Sequence, residues 1–77
     1  MDFLKIDGIF IRDIALNPVN RAMVKAINEV GHVMGIRTVA EYVEDEATLA
    51  VVRELGVDYV QGAAVGPLRP LSFDHPA

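Results

Sequence analysis

The chain has 77 residues, of which 52% are hydrophobic, with a net charge of −4 and no cysteine. A domain of this size has little interior in which to hide so much apolar surface, so the composition points to a piece of a larger core. The acidic balance excludes a basic grip on DNA or on an anionic membrane, the missing thiols exclude a disulfide framework and a thiolate metal site, and no apolar run nears the roughly 20 residues that span a bilayer.

Phe3 to Asp7 alternates, with Leu4 and Ile6 on one face and Phe3, Lys5 and Asp7 on the other, the pattern of a short strand stopped by Gly8. Ile9 to Leu16 is too short for a full helix and reads as a loop with one helical turn. Asn17-Pro18 is a helix start, the Asn side chain capping free backbone N–H groups and the Pro sitting where no N–H is needed. The helix is expected to run to Met34, with Val19, Ala22, Met23, Ala26, Ile27, Val30, Val33 and Met34 packed on a sheet and Asn28 and His32 facing water. Gly35 supplies the left-handed end, and IRTVAEYV follows as a second strand.

A second helix runs from about Asp45, capped by that acid, to Leu55, with Leu49, Val52 and Leu55 inward and Gly56 closing it. VDYVQG is the third strand, after which Pro67 and Pro70 are expected to forbid regular structure, and a polar tail covers 72–77. The order is β-α-β-α-β, and the joins GIRTV and GVDYV repeat one pattern. The class is therefore α/β, a parallel segment of the kind that builds the (β/α)₈ barrel. Three strands cannot close a barrel. Unpaired strand edges and a face carrying Phe3, Val39, Val43 and Tyr59 are expected to need the remainder of a barrel, or self-association, to cover them.

In parallel α/β folds the site lies at the C-terminal ends of the strands, which directs attention to Lys5, Asp7, Glu41, Glu44 and Gln61. Lys, Glu and Gln at three successive strand ends suit a rim where carboxylates hold a divalent cation and a lysine meets phosphate or activated water. The alternation puts Arg37, Val39, Glu41 and Val43 on one face. Each residue has a plainer reading as well. Asp45 caps the next helix, Glu44 divides between capping and function, Lys5 could be a solvated lysine paired with Asp7, and Gln61 could satisfy backbone at a turn. His32 reads as a surface residue, and Met23 and Met34 as core by periodicity.

The strings DFLKIDGIFIRDI, AINEVGHVMGIRTVAEYVED and LGVDYVQGAAVGPLRPL resemble, in that order, the last third of the EAL domain, the bacterial cyclic-di-GMP phosphodiesterase. Three motifs, KID, AExVE and QG, carry the resemblance over residues 1–71. It implies a TIM-type barrel in which two Mg²⁺ or Mn²⁺ ions activate water to open cyclic-di-GMP to linear pGpG in the cytoplasm. Lys5 would hold the attacking water or the phosphate with Asp7 in support, Glu41 would bind metal and activate water, and Glu44 and Gln61 would make supporting contacts to metal or substrate. The EAL signature, its downstream Asn and Glu ligands and the paired aspartates lie in parts of the family that precede this segment. The chain alone is therefore expected to bind no metal and to be inactive. The alternative is a non-catalytic module that senses cyclic-di-GMP or pairs with another protein.

Overall fold

The computed structural model describes residues 2–71, so the tail expected over 72–77 lies outside the described residues. The elements are β1 (Phe3–Ile6), α1 (Gly8–Ile11), α2 (Pro18–Val33), β2 (Arg37–Ala40), α3 (Glu46–Leu55), β3 (Tyr59–Gly62) and β4 (Gly66–Pro70). They form one sheet in the order β1-β2-β3-β4, the first three strands parallel and joined by helical crossovers. Capping chemistry sets the helix starts. The Asn17 side chain accepts from the N–H groups of Val19 and Asn20, both at 3.0 Å, and Asp45 accepts from Thr48 N–H at 2.8 Å. The Thr48 backbone and side chain together hold the Asp45 carboxyl below its ordinary value.

The core lies between the sheet and the helices. Ile6, Ala40 and Val60 point into it from three strands, and Ile11, Ile14, Val24, Val51 and Val52 meet them from the other side. Each fully buried aliphatic side chain contributes about 1.5–3 kcal/mol relative to exposure.

Three sequence expectations are corrected. First, α2 turns most of the large apolar residues expected to face the sheet away from it, Ile27 excepted. It packs through Val24, Asn28 and Gly31, with Ile27 partly buried against the core as expected, while Val19, Met23, Val30, Val33 and Met34 are exposed, Val33 at 88%. A Cβ at Gly31 would crowd the side chains of Thr38 and Leu4, so the helix comes closest where its side chains are smallest. Asn28 can be buried there because its amide donates to Leu55 O and its carbonyl oxygen accepts from the Thr38 hydroxyl. The bulkier residues are displaced to the flank.

Second, the proline-bearing segment is not irregular. β4 pairs antiparallel with β3, Tyr59 opposite Pro70 and Gly62 opposite Gly66, and so covers the β3 edge expected to stand open. Neither proline needs an N–H for the pairs that Arg69 and Gly66 make.

Third, β2 ends at Ala40, and the alternation does not continue through Val43. Tyr42 has φ +66°, a left-handed backbone that resets which side the next residue faces. Val43 consequently joins the helix-side core and not the face that carries Val39 and Glu41.

Candidate functional site

The parallel register puts Lys5 beside Val39, and Val39 beside Tyr59, on the sheet face turned away from the helices. Val39 is buried there, with Phe3 and Tyr59 in edge-to-face contact at 5.3 Å between ring centres. One step further along, Lys5, Glu41, Tyr42, Glu44, Gln61 and Gly62 line an open cleft of about 390 Å³ at the C-terminal ends of the strands.

Lys5 Nζ stands 3.7 Å from Glu41 Oε2, with the lysine side chain 67% and the glutamate 30% exposed. A pair this long and this wet contributes only about 0–1 kcal/mol to stability, so either partner can be recruited by a ligand at little cost to the fold. Glu44 lies on the same rim. Both carboxylates offer the hard oxygen donors that suit Mg²⁺ or Mn²⁺. Among the described residues, however, no three His, Asp or Glu side chains are grouped so as to hold a metal ion. The donor chemistry fits a dication, and the described residues offer only part of a ligand set.

Backbone contacts hold the rim in place. Val43 N–H donates to Gln61 O at 3.1 Å, and Ala64 N–H donates to Val43 O at 2.9 Å, lacing the segment after β2 to the end of β3. At Gly62 a Cβ would collide with the Val43 backbone, which gives the Gly of the QG motif a packing reason.

Asp7 is placed elsewhere. Its carboxylate accepts from Ile9 N–H at 3.0 Å and caps α1, and it lines a neighbouring cleft with Gly8, Ile9, Arg12, Tyr42 and Glu44. The structure thus gathers Lys5, Glu41, Glu44 and Gln61 in one cleft and sets Asp7 in the next, with Glu44 and Tyr42 lining both. Tyr42 was missed in the sequence reading. Its only signal was an aromatic residue between two acids, and neither periodicity nor propensity foretells a left-handed tyrosine.

The opposite end of the sheet carries a second polar group, in which His32, exposed as its place on the polar face of α2 predicts, also finds a partner. His32 Nε2 lies 2.7 Å from Asp58 Oδ2, which also accepts from Thr38 N–H at 2.9 Å. The Thr38 hydroxyl accepts from Asp58 N–H at 3.2 Å and donates to Asn28. Burial alone would push the Asp58 carboxyl up; the Thr38 N–H, the hydrogen bond and charge of His32, and the Thr38 hydroxyl outweigh it and hold the group below its ordinary value. These residues tie the end of α2 to the starts of β2 and β3, far along the strands from the cleft.

A parallel β/α sheet with polar residues collected at its C-terminal rim is the arrangement of barrel enzymes and binding proteins that work at that face. The chain matches the EAL domain family over residues 1–67 and belongs to that family. It is 43% identical over 72 residues to the cyclic di-GMP phosphodiesterase PdeB of Shewanella oneidensis, a match that covers 94% of this chain and 8% of that protein. It is also 43% identical to the cyclic di-GMP phosphodiesterase PdeF of Escherichia coli, covering 91% of this chain and 9% of the relative. Among solved structures, the EAL domain of FimX from Xanthomonas citri in complex with c-diGMP superposes with a TM-score of 0.79 at 38% identity, over 90% of this chain and 27% of that one. The chain therefore spans under a tenth of these two relatives and about a quarter of the EAL domain. The expected TIM-type segment is the fold observed. Among the described residues no helix is long and apolar enough to cross a membrane.

Proposed function

We propose that this chain supplies the Lys5–Glu41 rim of a cyclic-di-GMP phosphodiesterase, whose remaining ligands come from the parts of the EAL domain that precede it in the relatives. The observation that carries the reading is the convergence of Lys5, Glu41, Glu44 and Gln61 on one cleft at the C-terminal strand ends, in a chain whose relatives are named for that activity. The reaction adds one water across a phosphodiester bond of the ring, breaking P–O and leaving linear pGpG.

Mg²⁺ or Mn²⁺, when bound, supplies Lewis-acid charge and lowers the pKa of water at the phosphate. The Glu41 carboxylate is this chain's contribution to holding the cation, with Glu44 in reserve on the same rim. Freed from Glu41, the Lys5 ammonium faces the phosphate oxygens and stabilises the charge that grows on them. Gln61, with one donor and one acceptor group, orients the substrate from the β3 side. Asp7 supports the rim indirectly, by capping the turn that follows β1.

The exposed stripe of α2, Val19, Met23, Val30 and Val33, supports the view that the rest of the barrel covers this flank. Without that cover the chain alone is expected to self-associate, to bind no metal and to be inactive.

The test uses the intact protein that carries this chain, incubated with cyclic-di-GMP in Mg²⁺ or Mn²⁺ with chromatographic detection of pGpG. Turnover that disappears in Glu41→Gln supports the reading. Tight binding without turnover would replace it with a sensing module, and neither binding nor turnover would overturn both.

A further inference from the structure

The left-handed turn at Tyr42 places Val43 in the core, but that turn does not explain why a tyrosine makes it. Its φ of +66° belongs to the left-handed region, which costs an L-residue of this bulk about 1–2 kcal/mol. Burial does not offset that cost, because the residue remains 53% exposed. A bulky, half-exposed side chain kept where glycine would make the same turn without strain marks a position held for another purpose.

The ring's seat is equally specific. A Cβ at Gly8 would fall far inside contact distance of the Tyr42 ring, so the ring lies directly on the bare backbone at the start of α1. In that seat it forms part of the wall of both the Lys5–Glu41 cleft and the Asp7–Arg12 cleft. The charge around it sharpens the question of what it meets. In the first cleft Glu41 and Glu44 outnumber Lys5, so a ligand carrying phosphates gains no net attraction from these side chains and needs a contact of another kind.

We propose that Tyr42 is the base-stacking residue of this rim: its half-exposed ring takes one face of a purine of the cyclic dinucleotide and sets the adjoining phosphate beside Lys5. This rests on the function proposed above and adds a specificity-determining contact to it. Aromatic stacking suits such a ligand because every base has a π-face and the interaction does not depend on net charge.

The test measures KM and kcat for cyclic-di-GMP in the intact protein with Tyr42→Gly, Tyr42→Phe, Gly8→Ala and the double variant Gly8→Ala/Tyr42→Gly. Glycine adopts φ +66° freely, so Tyr42→Gly removes the ring while leaving the path of the backbone through Glu41 and Val43 intact. Loss of one stacked base is expected to raise KM about 5- to 100-fold, with the loss falling chiefly on KM and with no fall in the melting temperature. Tyr42→Phe keeps the ring and should stay within about threefold of the parent, because stacking needs no hydroxyl. Gly8→Ala evicts the ring from its seat and should raise KM in the same way, with no further rise when the ring is already absent. An unchanged KM in Tyr42→Gly, a Tyr42→Phe variant as impaired as Tyr42→Gly, or a Gly8→Ala effect that persists in full in the double variant would each overturn the proposal. Those outcomes leave the phosphodiesterase reading standing if the parent protein turns over. A parent that neither binds nor hydrolyses cyclic-di-GMP sinks the reading and the stacking proposal together.

Discussion

At the C-terminal ends of the parallel strands, Lys5 and Glu41 stand 3.7 Å apart in an open cleft. At the N-terminal ends, Asp58 takes His32 at 2.7 Å and Thr38 N–H at 2.9 Å, while Thr38 and Asn28, both buried, complete each other's hydrogen bonds. The two ends use similar residue types and differ in saturation. One polar cluster has satisfied its donors and acceptors internally and so fixes the meeting of α2, β2 and β3. The other has left its charges loosely paired, so they remain available to an incoming ligand. Turnover and stability should therefore come apart cleanly when the two ends are mutated in the intact protein.

The largest effect is expected at the rim. Glu41→Ala and Lys5→Ala should each lower turnover about 100-fold or more, as removal of a group acting on the reacting phosphate or water does. Their folding stability should move by no more than about 1 kcal/mol, because the pair is long and solvated. Rates read beside thermal unfolding check this, and a variant that lost stability while keeping its rate would abolish the distinction between the ends.

A middle-sized effect of opposite kind is expected from Thr38→Val. The substitution keeps the shape and deletes the hydroxyl, leaving the Asn28 side-chain oxygen and Asp58 N–H unpartnered, at a cost of about 1–3 kcal/mol. Denaturant titration should show that loss, with the rate per folded molecule unchanged. A Thr38→Val protein as stable as its parent would mean that the network contributes nothing.

The smallest effect is a matter of pH. Because the Asp58 carboxyl is held below its ordinary value in the fold, its contribution is fully present above the unfolded value and is lost as pH falls through the folded one. Asp58→Asn should be less stable than the parent near neutrality, and the gap should narrow below about pH 4. Asp45 shifts in the same direction through its cap and is present in both proteins, so the difference between their melting curves isolates Asp58. A gap that stayed constant down to pH 2 would show that the carboxylate's charge is not what the network uses.

Much of this molecule could be read along the chain because its determinants are local. Asn17-Pro18 and Asp45 start helices by side-chain contacts two or three residues away, and Gly35 and Gly56 follow the two long helices with positive φ. Lys5, Glu41 and Gln61 were visible because strand ends are where a parallel sheet works. The face of α2 was illegible for a different reason. Its hydrophobic periodicity is real, but the helix packs where Gly31 permits close approach, and only the partner residues Leu4 and Thr38 reveal that. The same holds for Asn28, His32 and Asp58, whose partners lie 10 to 27 positions away. The pairing of β4 was hidden by Pro67 and Pro70, which argue against a strand except at an edge, and an edge is defined only once the sheet is assembled.

That placement of prolines makes the sheet unequal as a template for other chains. A strand approaching the outer side of β4 meets five residues of which two, Pro67 and Pro70, have no N–H to donate. A strand approaching β1 meets Phe3, Leu4, Lys5 and Ile6, all with intact amides. Growth by strand addition is thus discouraged on one side and permitted on the other, with Lys5 the sole charged residue of β1. Any misassembly of this chain should begin at its first strand, and a peptide that caps Phe3–Ile6 should arrest it.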